Sequence, residues 1–337
     1  MGRNNKHYSK TLHQQAYDCL QSMKAFGESK RKEKLEGSIK NKIFSFNTYQ
    51  TYSKHIDYFI KYLGVHHPEI TTLDKARAFV PEWLKYQESR GLSAWTVQTE
   101  AKALGKLFGI TPEDDDYYEP PQRHRVDVKR SRGPAKRDIH FSEANNYDFV
   151  SFCRCTGLRR SEVEAAHASD LTTKKELVNE IAYLKTQPMN IKNYNRLTVL
   201  EETELFDAEY YIHVRSGKGG RERYAPIVGQ EADKVVSRIK SIPKDKKIFE
   251  YVPSGADIHG YRAEYATKMY KDNARPIDKI PYDKVNKGTG YEYQSEVYTC
   301  RKDEQKKKLD KGAMVKCSKA LGHNRAEIVA GSYIRGL

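Results

Sequence analysis

A chain of 337 residues exceeds one ordinary core and calls for two domains, and 38% hydrophobic residues suffice for cores of moderate size. Lys and Arg outnumber Asp and Glu by 60 to 45; the resulting +15 points to a polyanionic partner, with plain solubility the bland alternative. No apolar run approaches the roughly 20 residues that span a bilayer, and the opening MGRNNKHYSK lacks the apolar segment of a secretory signal.

The five cysteines are odd in number and show no C-x-x-C spacing, so neither a disulfide framework nor a zinc site is expected. Together these features predict a soluble cytoplasmic protein with reduced thiols. Tyrosine is abundant, 24 residues, a side chain that packs, stacks on bases and donates to phosphate oxygens alike.

In chain order, residues 11–26 carry a weak helical pattern through Leu12, Ala16, Leu20, Met23 and Phe26. The charged stretch GESKRKEKLEGSIKNK follows, either exposed helix or basic linker. Three stronger helices are predicted next. Thr48 to Leu63 aligns Tyr52, Ile56, Phe59, Ile60 and Leu63. Leu73 to Glu88 carries Trp83 and Leu84, with Pro81 tolerated only at a break or first turn. Ser93 to Phe108 opens on a serine cap and repeats Val97, Ala101, Leu104 and Phe108. A small helical bundle is the natural reading. Between Thr111 and Arg137 the periodicity vanishes into prolines, an acidic knot and a basic run, which places a linker and domain boundary there.

Beyond it, Phe141 to Cys155 reads as a helix capped by Ser142 and ended by Gly157, and a second helix runs from about Arg159 to Ala168. Residues 177–228 read as β-rich, with YYIHVRSGKGGRERYAPIV forming two alternating runs around Gly-Lys-Gly-Gly, a hairpin signal. Helices are expected at 230–240, 258–272, 303–321 and 325–331, and residues 273–299 read as a long loop or insertion.

Five short motifs occur in order in this second half, the last two within one stretch. TGLRRSEV places Arg159 at a helix start with Glu162 one turn on. SGKGGRERYAPI puts Lys218 at a hairpin tip. IHGYRAEYATKMY sets His259 and Arg262 on one helix face. ALGHNRAEIVAGSYI holds Gly322-His323 and then Tyr333. Each has a bland reading alone: Glu162 as a surface partner of Arg159, Lys218 as a solvated turn lysine, His259 as a buried histidine, Tyr333 as one tyrosine among many. Their joint order is what outweighs these.

The set resembles the tyrosine recombinase (phage integrase) family of mobile-element integrases, whose marks are T-G-L-R-x-S-E, a hairpin lysine, H-x-x-R, L-G-H and a tyrosine near the C-terminus. The resemblance covers residues 138–337 directly. It implies a mixed, mainly α fold. A possible helical or basic extension at 1–40 precedes a helical core-binding DNA-binding domain at 41–118 and a linker at 119–137. An α+β catalytic domain with a small antiparallel sheet or hairpin follows at 138–337. This chain departs from the pattern in a His323–Tyr333 spacing one residue longer than most members, a long insertion between Arg262 and His323, and an end at Leu337 soon after Tyr333.

The implied activity is site-specific DNA recombination through a 3′-phosphotyrosine. Arg159 and Arg262 would clamp the phosphate, and Lys218 would protonate the leaving 5′ oxygen. His259 and His323 would bind phosphate or exchange protons with the tyrosine, Glu162 would orient an arginine or histidine, and Tyr333 would attack. No cofactor or metal is called for. Arg221, Arg223, Lys129, Arg130 and Arg132 are expected DNA contacts. The partners implied are double-stranded recombination sites, further copies of the chain as a DNA-bound tetramer, and accessory directionality or DNA-bending proteins. Alternatives are a topoisomerase or hairpin telomere resolvase with similar groups, and an inactive DNA-binding regulator on the same scaffold. Tyr265, Tyr270 and Tyr298 are rival nucleophiles that precede the His323 motif.

Overall fold

A computed structural model describes residues 10–28, 30–124, 141–218, 220–280, 296–300 and 306–334. The chain divides into two compact units, Met1–Arg123 and His124–Leu337. The described elements are mostly helical with small antiparallel sheets.

In the first unit, α1 (Leu12–Ser22) begins where the Thr11 hydroxyl accepts from the Gln14 amide, and it buries Ala16 and Leu20. A short α2 (Lys30–Leu35) and a 3-10 turn (Ser38–Asn41) occupy the charged stretch. The long α3 (Phe46–His66), capped by Ser45, buries Tyr49, Ile56, Phe59, Ile60 and Leu63. The next predicted helix is broken: α4 (Leu73–Ala76) passes through a 3-10 turn into α5 (Val80–Ser89), with Pro81 in its first turn, where the missing amide costs no helical hydrogen bond. Finally α6 (Ala94–Phe108) starts on the Ser93 cap and ends at Gly109 in the left-handed region. Ala16 and Leu20 share one core with Phe59, Trp83 and Leu104, so residues 12–22 are part of the bundle rather than an appendage.

The second unit opens with α7 (Tyr147–Thr156), shorter than predicted: the Ser142 hydroxyl accepts from the Asn145 amide in a preceding turn, and Asn146 is the residue before the helix. After Gly157 come α8 (Arg160–Ala165) and β1 (Leu171–Thr173). The region expected to be β-rich is largely helical, as α9 (Lys174–Thr186) and α10 (Ile191–Glu201). Thr173 and Glu176 form a reciprocal capping box at the start of α9, and Leu177, Ile181 and Leu184 recur at helical spacing, a local signal that outweighs the region's β-branched residues.

The hairpin is as expected. Strands β2 (Tyr210–Val214) and β3 (Arg223–Pro226) pair antiparallel with Tyr211 opposite Pro226 and Val214 opposite Arg223, and β1 completes the order β1-β2-β3. This sheet lies between two cores: Tyr211 and Tyr224 enter one, Ile212, Val214, Ala225 and Ile227 the other. Helix α11 (Ala232–Lys240) joins the second core, and α12 (Ile258–Asn273) is buried on most faces through Tyr261, Ala263, Tyr265, Ala266 and Met269.

Most of the stretch expected as a long loop or insertion, residues 281–295, lies outside the described residues; at its end β4 (Val297–Thr299) pairs antiparallel with β5 (Lys308–Asp310), and the helix expected from 303 begins at Lys311 as α13 (Lys311–Ala320). Asp310 ends the strand and caps the helix, accepting from the Gly312 amide and from Arg275. α14 (Glu327–Ser332) delivers Tyr333 as its last cap. Among the described residues no helix is long and apolar enough to cross a membrane.

Candidate active site

Gly157 sets up the first part of the site. Its φ of +59° ends α7, and a Cβ there would lie 2.4 Å from the Tyr265 ring, so only glycine lets the chain turn directly into Arg159. Arg159 caps α8, and its backbone amide donates to Glu162 Oε2 at 2.8 Å while its guanidinium donates to Oε1 at 2.6 Å. Glu162 is buried, not a surface partner: Arg223, from β3, reaches the same carboxylate with two donors at 3.0 and 2.8 Å. Burial alone would raise this carboxyl, but Arg223, then Arg159, hold it down to about 2.

Arg223 was expected at the DNA surface. It is 2% exposed, and its Nε donates to the Ala320 carbonyl at 3.1 Å, leaving no face for a phosphate. Its side chain instead spaces Glu162 from the Leu321–His323 loop, and Gly322, at φ +71°, makes room: a Cβ there would sit 3.0 Å from Arg223 Cδ.

Arg262, also 2% exposed, rises from α12 into the same space. Its terminal nitrogens donate to the Gly157 and Leu321 carbonyls, and one stands 4.0 Å from Glu162 Oε2. Its Nε is buried without a partner, an orphaned donor of the kind an incoming anion can satisfy. Burial, with repulsion from Arg159 and Arg223, lowers it to about 10, so it stays cationic at neutral pH.

Tyr333 closes the constellation. Its hydroxyl lies 3.3 Å from His323 Nε2, its ring is 5.4 Å from the rings of both His323 and His259, and the Arg262 guanidinium sits 5.2 Å over it. Burial, then the charges of Arg262, Arg159, Arg223 and Lys218, push the His323 imidazole down to about 4. At neutral pH it is therefore uncharged, and a ring nitrogen without its proton can accept a hydrogen bond from the phenol.

His259 is exposed on the second residue of α12. Lys218 is exposed in the turn between β2 and β3, where the Gly217 amide closes the hairpin on the Arg221 carbonyl at 2.8 Å. Arg221 is held by Glu202. Lys129, Arg130 and Arg132 lie outside the described residues. The rival tyrosines are otherwise engaged: Tyr265 is buried with its hydroxyl donating to the Pro226 carbonyl, and Tyr270 accepts from the Asp310 amide. Tyr298 is on β4, packed against the core that Tyr270 and Leu309 share. The residue that sequence reasoning misplaced is Arg223, and alternation along the strand could not have found it, because both faces of β3 are buried.

No family model and no curated protein matches the chain. Among solved structures it is similar to XerA recombinase, at 14% identity over 95% of this chain and 94% of that one, with a TM-score of 0.28. It is also similar to the Tn1549 transposon integrase in complex with circular intermediate DNA (13% identity, 97% and 96% covered, TM-score 0.36) and with transposon right end DNA (14%, 97% and 96%, 0.35).

Proposed function

We propose that this protein is a DNA strand transferase of the tyrosine-recombinase type, acting on double-stranded recombination sites as a DNA-bound oligomer. The observation that carries the reading is the meeting of Tyr333 with His323 at 3.3 Å beside Arg262 and Arg159, four side chains from three separate stretches of chain.

Attack of a phenolic oxygen on a phosphodiester builds negative charge on the nonbridging oxygens, and two fixed guanidinium groups are suited to that charge. Arg159 and Arg262 fill this role, Arg262 with its unpartnered Nε. The Tyr333 proton passes to neutral His323, the tyrosyl O–P bond forms, and the P–O5′ bond breaks as Lys218 protonates the leaving oxygen. The 3′-phosphotyrosine keeps the energy of the broken bond, so attack by a 5′ hydroxyl reseals the strand without ATP. His259 borders Tyr333 and binds the phosphate. Glu162 and Arg223 are positioning residues that act through Arg159.

The test is trapping on a nicked duplex, where the freed 5′ fragment diffuses away and the covalent complex accumulates. Wild type is expected to give a protein–DNA adduct on a denaturing gel, mapping to the peptide that contains Tyr333. Tyr333→Phe is expected to bind DNA nearly as well and form none. An adduct on Tyr265, Tyr270 or Tyr298 would move the nucleophile; an adduct on a serine, or none at all, would sink the reading.

A further inference from the structure

Next to the strand-transfer residues is a second knot of charge that this chemistry does not use. Arg221 belongs to the hairpin that carries Lys218, Lys319 to the last turn of α13, and Asn324 directly follows His323. Glu202, at the start of the 3-10 turn after α10, binds both cations. Arg221 Nη2 donates to its two carboxylate oxygens at 2.8 and 2.9 Å, and Lys319 Nζ donates to Oε1 at 2.6 Å. Arg221 Nη1 also donates to Asn324 Oδ1, tying the hairpin to the His323 loop.

We propose that Arg221 and Lys319 form a subsite for a DNA backbone phosphate flanking the one that is cut, and that Glu202 occupies this subsite as an internal stand-in until DNA arrives. The inference rests on the strand-transfer reading. A carboxylate and a phosphodiester each present paired oxygens and one negative charge, so donors arranged for the first suit the second. Two cations share one carboxylate, which leaves a positive charge over to draw a polyanion.

The knot is half-buried and retains access to solvent. The side chains of Arg221, Glu202 and Lys319 are 20%, 20% and 28% exposed, in contrast to Arg223 and Glu162 at 2% and 1%. Ion pairs with that much solvent access are weak, and a DNA phosphate that releases counterions as it binds can replace the carboxylate. Because Arg221 bridges to Asn324, occupancy of the subsite bears on the loop that holds His323 against Tyr333.

The full chain is titrated onto a fluorescent duplex across a salt series. Glu202→Gln is expected to bind about two- to fivefold tighter than wild type, the strength of a weak ion pair. That gain should vanish when Arg221→Gln and Lys319→Gln are already present. Glu204→Gln, in the same turn, controls for overall charge. In the wild-type background, Arg221→Gln and Lys319→Gln are each expected to flatten log affinity against log salt by about one unit. Unchanged slopes overturn the subsite even where Glu202→Gln proves too unstable to assay. Equal or weaker binding by a folded Glu202→Gln, or a gain that persists without Arg221 and Lys319, overturns the stand-in. DNA binding by wild type with a slope that Arg221→Gln and Lys319→Gln leave unchanged fails only this inference; a wild type that binds no DNA fails the strand-transfer reading itself.

Discussion

At the Glu162 carboxylate, Arg159 and Arg223 both bond and Arg262 stands 4.0 Å away, and that concentration of positive charge sets the protonation of its neighbours. Glu162 is kept ionised, because removing it would leave Arg223 buried and unpaired. His323 is kept neutral, since a further cation would be both desolvated and repelled. The sign of the stability effect follows. Unfolded, the imidazole titrates near 6.5; folded, near 4. Between those values the unfolded chain binds the proton and the folded one does not, so His323 costs stability as pH falls from about 6.5 towards 4. Urea unfolding of wild type and His323→Gln at about pH 7.5 and pH 5 is expected to show wild type losing more stability on acidification. An equal loss in both would mean the imidazole is not depressed.

Among the elements, the β2–β3 hairpin does two jobs at once. Its strand residue Arg223 is locked into the core while Lys218 remains exposed at the turn. The body of the hairpin is anchored too: Arg196 of α10 donates to Glu222 and to the Tyr224 hydroxyl while gripping Glu180 of α9. An exposed lysine on an anchored hairpin suits a general acid that must reach a leaving oxygen. Lys218→Ala is expected to slow cleavage of ordinary DNA by about a hundredfold or more. It should spare a substrate whose bridging 5′ oxygen is sulfur, because a thiolate leaves without a proton. Single-turnover rates on the two substrates decide this. An equal defect on both would assign Lys218 to binding instead.

Over the whole molecule, a net charge of +15 predicts that association with nonspecific duplex is dominated by counterion release. Affinity is expected to fall by about a thousandfold or more between roughly 50 and 200 mM salt, the behaviour of proteins making six or more phosphate contacts. A flat dependence of log affinity on log salt would remove electrostatics as the basis of binding. The charge says nothing of which bases are read, since phosphate contacts carry no sequence information.

What the sequence by itself determined was local and ordered: the Ser93 cap, the helix at Ile258, the Gly-rich hairpin, and the succession of Arg159, Lys218, His259, Arg262, His323 and Tyr333. Those features are legible because a cap, a helical period or a turn is decided by residues a few positions apart. Tertiary structure alone decided that β4 pairs with β5, that Glu162 is a buried hub and not a surface ion pair, and that Arg223 is sealed against Ala320 while Arg221 keeps access to solvent. Each of these depends on which distant segment packs on the residue. An arginine's hydrogen-bonding groups look the same in sequence whether they face a carboxylate in the core or a phosphate in solvent, and only burial, set by partners far along the chain, separates the two.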